Sequence, residues 1–306
     1  MPDQAPIACS EVWGGNRSAQ AALVLPGITG HVTSKPYQQA DSGGDVHYVS
    51  SCGSGRITRV LLADVSGHGS DVSHIAVRLR DAMRRYLNHI EPGPLASRIN
   101  SELSQATVNE GHFATALAMT YFGPSGRFTI CNAGHPLPLL KRANKQHWTT
   151  IDQPDTKEDI ANLPLGILEE SGYTCREFTL NPGDTLFTYT DCLNEAKNDQ
   201  NNQLGTEGLL DILNQLQDTN NTPPAELADA ILTAIQQRGY SFDDDLTTLI
   251  LRCTERTAGA PFFKRLAGSI RTLINGIKWR NMPWPEFSKT NLVGLFFPKT
   301  GTSKSK

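Results

Sequence analysis

The spacing of apolar positions changes along the chain, and each change predicts an element. Val72, Ile75, Ala76, Leu79, Met83 and Tyr86 recur at the 3.6-residue spacing of one helix face. That run begins after Gly67-His68-Gly69 and is expected to stop at Pro92-Gly93-Pro94, with a second, shorter helix over Leu95 to Val108. Around these helices the pattern tightens into short apolar runs bounded by turn residues, which predict strands. Asp45 to Ser51 and Arg56 to Ala63 flank Cys52-Gly53-Ser54-Gly55 as a hairpin, and Phe113 to Phe122 with Arg127 to Ala133 flank Gly123-Pro124-Ser125-Gly126 as a second. Tyr173 to Leu180 and Thr185 to Thr190, joined by Asn181-Pro182-Gly183-Asp184, predict a third hairpin.

The remaining pattern is weaker. Leu137 to Lys141 and Trp148 to Ile151 predict marginal strands, and the polar, proline-bearing stretch 152–165 predicts a loop or flap. Helices are expected over Thr206 to Leu216 and from Pro223-Pro224 to Gly239, followed by a closing strand, Leu246 to Cys253. Residues 1–40 predict an irregular lead-in: an edge strand around Glu11 to Gly15 and an approach loop over Val32 to Tyr37. Strands linked by hairpins, with helices grouped in two places, point to antiparallel sheets flanked by helices and away from alternating βαβ units. Gly43-Gly44 and Gly53-Ser54-Gly55 do not open helices, so they are not phosphate loops.

The net charge of −3 conceals an asymmetry. From Arg256 to Lys306 there are ten Lys and Arg against a single acid, Glu286, so a basic tail follows an acidic body. The expected division is a domain over 1–255 and a basic amphipathic tail over 256–306. In that tail Phe262, Phe263, Leu266, Ile270, Leu273 and Ile274 form an apolar stripe with Trp279 and Trp284 beyond it. Such a segment, 262–287, suits docking on the chain's own acidic body or on a partner protein, or lying peripherally in an anionic membrane surface; nucleic acid is the least favoured partner. No apolar run approaches the ~18 residues of a spanning helix, and Met1-Pro2-Asp3-Gln4 opens with neither a basic start nor an apolar core. The expected location is cytoplasmic, with membrane association through the tail as the variant. Six cysteines, far apart and without a CxxC pair, predict reduced, buried thiols and no zinc site.

The candidate chemistry lies in four aspartates. Asp64 and Asp191 end apolar runs, Asp244 precedes one, and Asp45 follows Gly43-Gly44 at the start of a strand. Carboxylates at strand ends can converge on one sheet edge, and an oxygen-only donor set suits Mg²⁺ or Mn²⁺ rather than zinc.

Seven segments in order carry a resemblance: Gly43-Gly44-Asp45, Ala63-Asp64-Val65-Ser66-Gly67-His68-Gly69, Phe113-Ala114-Thr115-Ala116-Leu117, Asn132-Ala133-Gly134-His135-Pro136, Leu163-Pro164-Leu165-Gly166-Ile167, Tyr189-Thr190-Asp191 with Asn194-Glu195-Ala196, and Asp244-Asp245-Leu246-Thr247. Together they resemble the metal-dependent PPM phosphatases related to protein phosphatase 2C, and most closely the bacterial stage II sporulation protein E and RsbU branch. The resemblance implies an α+β fold, an α/β/β/α four-layer sandwich of two antiparallel sheets flanked by helices. It implies two Mn²⁺ or Mg²⁺ ions held by Asp45, Asp64, the Val65 carbonyl, Asp191 and Asp244. It further implies hydrolysis of phosphoserine or phosphothreonine on a regulatory protein by water activated between the two metals, with anti-sigma factor antagonists as substrates in that branch. His68 is the candidate general acid for the leaving oxygen. Asp243 and Asp245 are read as adding local negative potential only, and His135 as organising a turn. The family usually has Gly after Thr-Asp, where this chain has Cys192, and its first motif often continues with an aromatic pair and another Asp, where this chain has Val46-His47-Tyr48; these departures motivate the alternative of a weakened phosphatase fold serving as a binding scaffold.

Overall fold

The fold is known from a computed structural model, and the structure describes residues 4–5, 12–51, 56–67, 70–86, 89, 91–107, 111–152 and 162–256. His68, the Cys52-Gly53-Ser54-Gly55 turn and the basic tail beyond Arg256 lie outside the described residues.

Two sheets form the centre. The first has six strands in the order β11-β8-β7-β6-β5-β2: β2 (Val12–Gly15), β5 (Asp45–Ser51), β6 (Ile57–Val65), β7 (Ala114–Phe122), β8 (Arg127–Ala133) and β11 (Cys175–Thr179). The second has seven in the order β1-β3-β4-β15-β12-β9-β10: β1 (Gln4–Ala5), β3 (Ala19–Leu25), β4 (Ile28–Lys35), β9 (Leu139–Lys141), β10 (Trp148–Thr150), β12 (Thr185–Tyr189) and β15 (Leu246–Cys253). All neighbours within both sheets are antiparallel except β1 and β3. A further pair, β13 (Lys197–Asn198) and β14 (Tyr240–Ser241), stands apart from them.

Three apolar layers account for the stacking. Val49, Val60, Leu62 and Met119 meet Val32, Leu186, Leu249 and Leu251 between the sheets. On the outer face of the six-stranded sheet, Ile75, Leu79 and Met83 of α1 (Ser70–Arg85) and Leu95, Ile99 and Leu103 of α2 (Pro92–Thr107) cover Tyr48, Leu61 and Ala118. On the other side Leu209, Ile212 and Leu213 of α3 (Gly205–Gln215) and Leu227, Ile231 and Ile235 of α4 (Pro224–Gln237) cover Phe187 and Ile250. Each such side chain contributes roughly 1.5–3 kcal/mol on leaving water. The result is the expected α+β four-layer arrangement, helices outside two packed sheets.

Three expectations fail locally. Residues 19–35 are not an irregular lead-in with an approach loop over Val32 to Tyr37; they are the hairpin β3–β4, and β4 pairs with β15 along its whole length. Pro26-Gly27 turns the chain with Gly27 at φ +78°, the left-handed conformation the third residue of a type II turn requires. Next, Pro92 and Pro94 do not merely stop a helix. They form the first turn of α2, where a missing amide hydrogen removes no intrahelical bond.

Finally, Tyr173 to Leu180 and Thr185 to Thr190 are not a hairpin: β11 pairs with β8, whereas β12 pairs with β15 and β9 in the other sheet. The turn between them is a crossover held by the buried Asp184. Its carboxylate accepts from the backbone of Asn181 (2.9 Å) and Ala143 (2.9 Å) and from the Arg142 guanidinium (2.7 Å), and Gly183 donates to the Cys253 carbonyl (2.8 Å).

Candidate metal centre

At one end of the sandwich the sheets are tied together, and the acidic residues gather there. Asp45 begins β5 and Asp64 lies next to the end of β6, and the register places them directly opposite each other. Directly opposed like charges in an antiparallel pair repel. Across β6, Asp64 is opposite Thr115 of β7, so Asp45, Asp64 and Thr115 form one row on one sheet face. Asp191 follows β12 in the other sheet, and its side chain is hydrogen-bonded to that of Asp64. The two layers therefore meet through a carboxyl–carboxylate contact, which needs a shared proton.

The electrostatics agree. Burial, then the charge of Asp64, pushes Asp45 well above the usual carboxylate range. Burial followed by Asp191, Asp244 and Asp245 pushes Asp64 up to about 8. Asp191 is raised by burial, Glu195 and Asp244. Asp244 itself is exposed at the mouth, its carboxylate accepting from the amide of Asp245 (2.7 Å). Among the described residues no three His, Cys, Asp or Glu side chains are already closed around one point.

The residues nevertheless fit hard cations. The donor set is oxygen only, and the carboxylates are crowded enough to hold protons at neutral pH. A methyl group on Gly44 would stand 2.9 Å from the Val65 carbonyl oxygen and 3.1 Å from that of Gly67, so these oxygens converge on a space kept free by the absence of a side chain.

Two positioning groups escaped the sequence. Thr190 donates from Oγ1 to Asp45 Oδ2 (2.7 Å), and its oxygen accepts from the amide of Thr247 (2.9 Å), so one hydroxyl links both sheets and aims a carboxylate. Asp245, expected only to add negative potential, is buried and accepts from the amides of Gly44 (2.5 Å) and Tyr37 (2.6 Å). It fixes the backbone that presents Asp45. A methyl on Gly43 would meet this carboxylate at 2.5 Å, which explains the glycine at that position. The signal for Thr190 was its place next to Asp191; nothing in the sequence paired it with Asp45. Thr190→Val keeps the volume and removes the hydroxyl. It is expected to destabilise the fold by about 1–3 kcal/mol, because a buried carboxylate and the Thr247 amide both lose a partner; urea denaturation measures this.

His135 lies behind Thr115. Its Nδ1 is 2.9 Å from the Thr115 hydroxyl, and its backbone is clamped both ways by Asn132, amide to Oδ1 (2.7 Å) and Nδ2 to carbonyl (2.8 Å). It does organise a turn, as expected, and burial pushes it down to about 3, so it is neutral. Cys192 has a negative φ, so the backbone there does not need glycine. Its buried thiol, pushed up to about 12 by burial, donates to the Asp244 carbonyl (3.4 Å). The cysteine thus joins the Asp191 and Asp244 loops instead of distorting them.

This layout, two packed antiparallel sheets with acids at one shared end, defines the PP2C-type phosphatase fold. A family model for stage II sporulation protein E (SpoIIE) matches residues 54–254, and the chain belongs to that family of PP2C-type serine/threonine protein phosphatases. Among solved structures, the chain is similar to the RsbU and RsbW domains of a Mycobacterium tuberculosis protein, at 22% identity over 85% of this chain and 72% of that one (TM-score 0.62). It is similar to the PP2C phosphatase domain with a regulatory fragment of SpoIIE from Bacillus subtilis, at 19% identity over 76% and 63% (TM-score 0.62). The catalytic domain of the serine/threonine protein phosphatase PstP, solved with two manganese ions, is matched at 18% identity over 74% and 99% (TM-score 0.52).

Proposed function

We propose that the chain dephosphorylates phosphoserine or phosphothreonine on a regulatory protein, using two Mn²⁺ or Mg²⁺ ions held at the acidic end of the sandwich. The observation that carries this reading is the Asp64–Asp191 contact between the sheets, with Asp45 opposite Asp64 and Asp244 at the mouth. Divalent cations at this place would supply an activated water and offset the charge of the phosphoryl group. The two manganese ions of the PstP structure, on the same fold, support the choice of ion.

The chain's own residues have distinct tasks. Asp64 and Asp191 would hold a cation from opposite sheets once their shared proton is released. Thr190 keeps Asp45 aimed at Asp64. Asp245 anchors Gly44, which leaves room beside the Val65 carbonyl for that oxygen to serve as a neutral donor. Asp244, exposed at the mouth, would supply the fourth carboxylate. His68 remains the candidate donor of a proton to the leaving oxygen. The similarity to RsbU and RsbW domains supports a phosphoprotein substrate of the partner-switching kind, an anti-sigma factor antagonist.

The test is hydrolysis of para-nitrophenyl phosphate and of a phosphoserine protein, with and without manganese. A folded chain inactive with every divalent metal would favour the scaffold alternative. One of its two motives is weakened, since Cys192 occupies ordinary backbone geometry.

We further assign the tail over 256–306 to docking on the acidic body or a partner protein, in a protein working in the cytoplasm. The charge opposition between tail and body supports this. Liposome flotation of chain 1–306 against 1–255 is expected to show no difference; flotation of 1–306 alone on anionic vesicles would move the assignment to the membrane surface.

A further inference from the structure

Two cysteines that are 44 positions apart in sequence are neighbours in the fold. Cys131 of β8 and Cys175 of β11 are register partners, directly across an antiparallel pair. Both are free thiols, and they are hydrogen-bonded to each other. Their surroundings differ. Cys131 is 1% exposed and packs in the apolar layer under α2, whereas Cys175 is half-buried at the strand surface. The Cys175 sulfur faces the first turn of α2, where it accepts from the Gly93 amide; a methyl on Gly93 would meet that sulfur at 3.0 Å. A helix N-terminus stabilises a thiolate, and so does a donated S–H bond.

We propose that Cys175 and Cys131 form a thiol redox site, in which Cys175 reacts with a hydroperoxide and Cys131 resolves the product as a β8–β11 disulfide. The inference is independent of the phosphatase reading.

The asymmetry of the pair sets the order of events. The S–H of Cys131 and the Gly93 amide lower Cys175 below the usual thiol range against the opposing effect of burial, while the same bond and burial raise Cys131. The more exposed sulfur is therefore the better nucleophile, and the buried one is shielded from solvent oxidants.

The steps balance. The Cys175 thiolate attacks one oxygen of the hydroperoxide; an S–O bond forms, the O–O bond breaks, and an alcohol (or water, from hydrogen peroxide) leaves after taking a proton. Sulfur is oxidised by two electrons to a sulfenic acid. The Cys131 sulfur then attacks Cys175, the S–S bond forms, the S–O bond breaks, and the oxygen departs as water with the proton of Cys131. Two thiols and one hydroperoxide give one disulfide, one alcohol and one water.

The site has a structural consequence. The bond would close a loop from 131 to 175 that contains the Asn132–His135 turn and Leu165, whose backbone pairs with Ala114 beside the acidic row.

The experiment treats the full reduced chain with stoichiometric hydrogen peroxide, quenches it, and counts thiols while mapping peptides by mass spectrometry. Six thiols falling to four, with a linked peptide pair carrying Cys131 and Cys175, is the expected result. Cys131→Ser should stop at the sulfenic acid, captured by dimedone at position 175, and Cys175→Ser should leave Cys131 unreacted. Six thiols retained, a linkage to any other cysteine, or dimedone capture at Cys131 would each overturn the proposal, and the wild-type thiol count decides even where a variant does not fold.

Discussion

Asp64→Asn and Asp191→Asn are each expected to lower manganese-dependent hydrolysis of para-nitrophenyl phosphate by at least about 10²–10³-fold, the scale on which removal of one preorganised electrostatic group acts. Both substitutions keep side-chain volume and a hydrogen-bonding oxygen, so the contact between the sheets survives as an amide–carboxylate bond. What disappears is one negative charge that a cation needs. Because the metal-free pair already holds one shared proton, a neutral amide in place of either acid leaves its charge unchanged, and the metal-free variants should be no less stable than the wild type. This separates the reading from simple unfolding: activity falls while the urea midpoint without metal stays or rises. Manganese should raise the midpoint of the wild type and do so less for either variant, since only a ligand bound to the native state shifts that equilibrium. Retention of wild-type activity in either variant would remove the metal-centre assignment.

The parts of this site that were legible in the sequence were those tied to local pattern. Asp64 and Asp191 end apolar runs, and Asp45 follows two glycines; strand ends of a sandwich meet at its edges, so the convergence of these residues could be expected. The strand and helix runs from Asp45 onward also follow from period and turn chemistry. What failed did so for lack of non-local information. Ala19 to Lys35 is mostly small and β-branched residues with little polar alternation, because β4 is buried on both faces between β3 and β15; Pro26-Gly27 was the one local sign. The turn Asn181 to Asp184 has hairpin chemistry, yet the choice of partner strand is made by Asp184 reaching Arg142 and Ala143 from another part of the chain.

The same limit hid Thr190 and Asp245. A threonine beside an aspartate is ordinary in sequence, and only the packing of one sheet on the other places its hydroxyl on Asp45. On sequence alone the second acid of Asp244-Asp245 only adds negative potential. The fold separates them: the first faces solvent at the mouth, and the second holds two backbone amides. The bend at Asp244, just before β15, turns the first acid outward while the second stays buried.

The second large expectation concerns pH in the absence of metal. In EDTA the native state should lose stability as pH rises from about 6.5 to 8. Asp64 is raised from 3.8 to about 8 by burial and its acidic neighbours, so in this window the native protein binds a proton that the unfolded chain has released. Stability falls with pH wherever the native state holds more protons, and 1.5 pH units for one proton corresponds to about 2 kcal/mol. Asp45, raised in the same direction, adds to the loss.

Below about 6.5 the buried histidines oppose this trend. Burial holds His47 down at about 4 and His135 at about 3 and lowers His31 as well, so the unfolded chain takes up protons that these native histidines refuse. The metal-free protein should therefore lose stability steeply above about pH 6.5 and much less below it, and urea midpoints across pH 5–8.5 would trace this change of slope. Asp64→Asn should roughly halve the decline on the alkaline side and make stability fall more steeply toward acid, because Asp64 keeps its extra native proton down to about pH 4 and there opposes the histidines. Saturating manganese should abolish the alkaline decline, because cations bind the deprotonated carboxylates more tightly as protons leave them. An alkaline limb of equal slope in Asp64→Asn, or one that manganese does not alter, would mean that these acids neither repel one another as the fold implies nor share a cation.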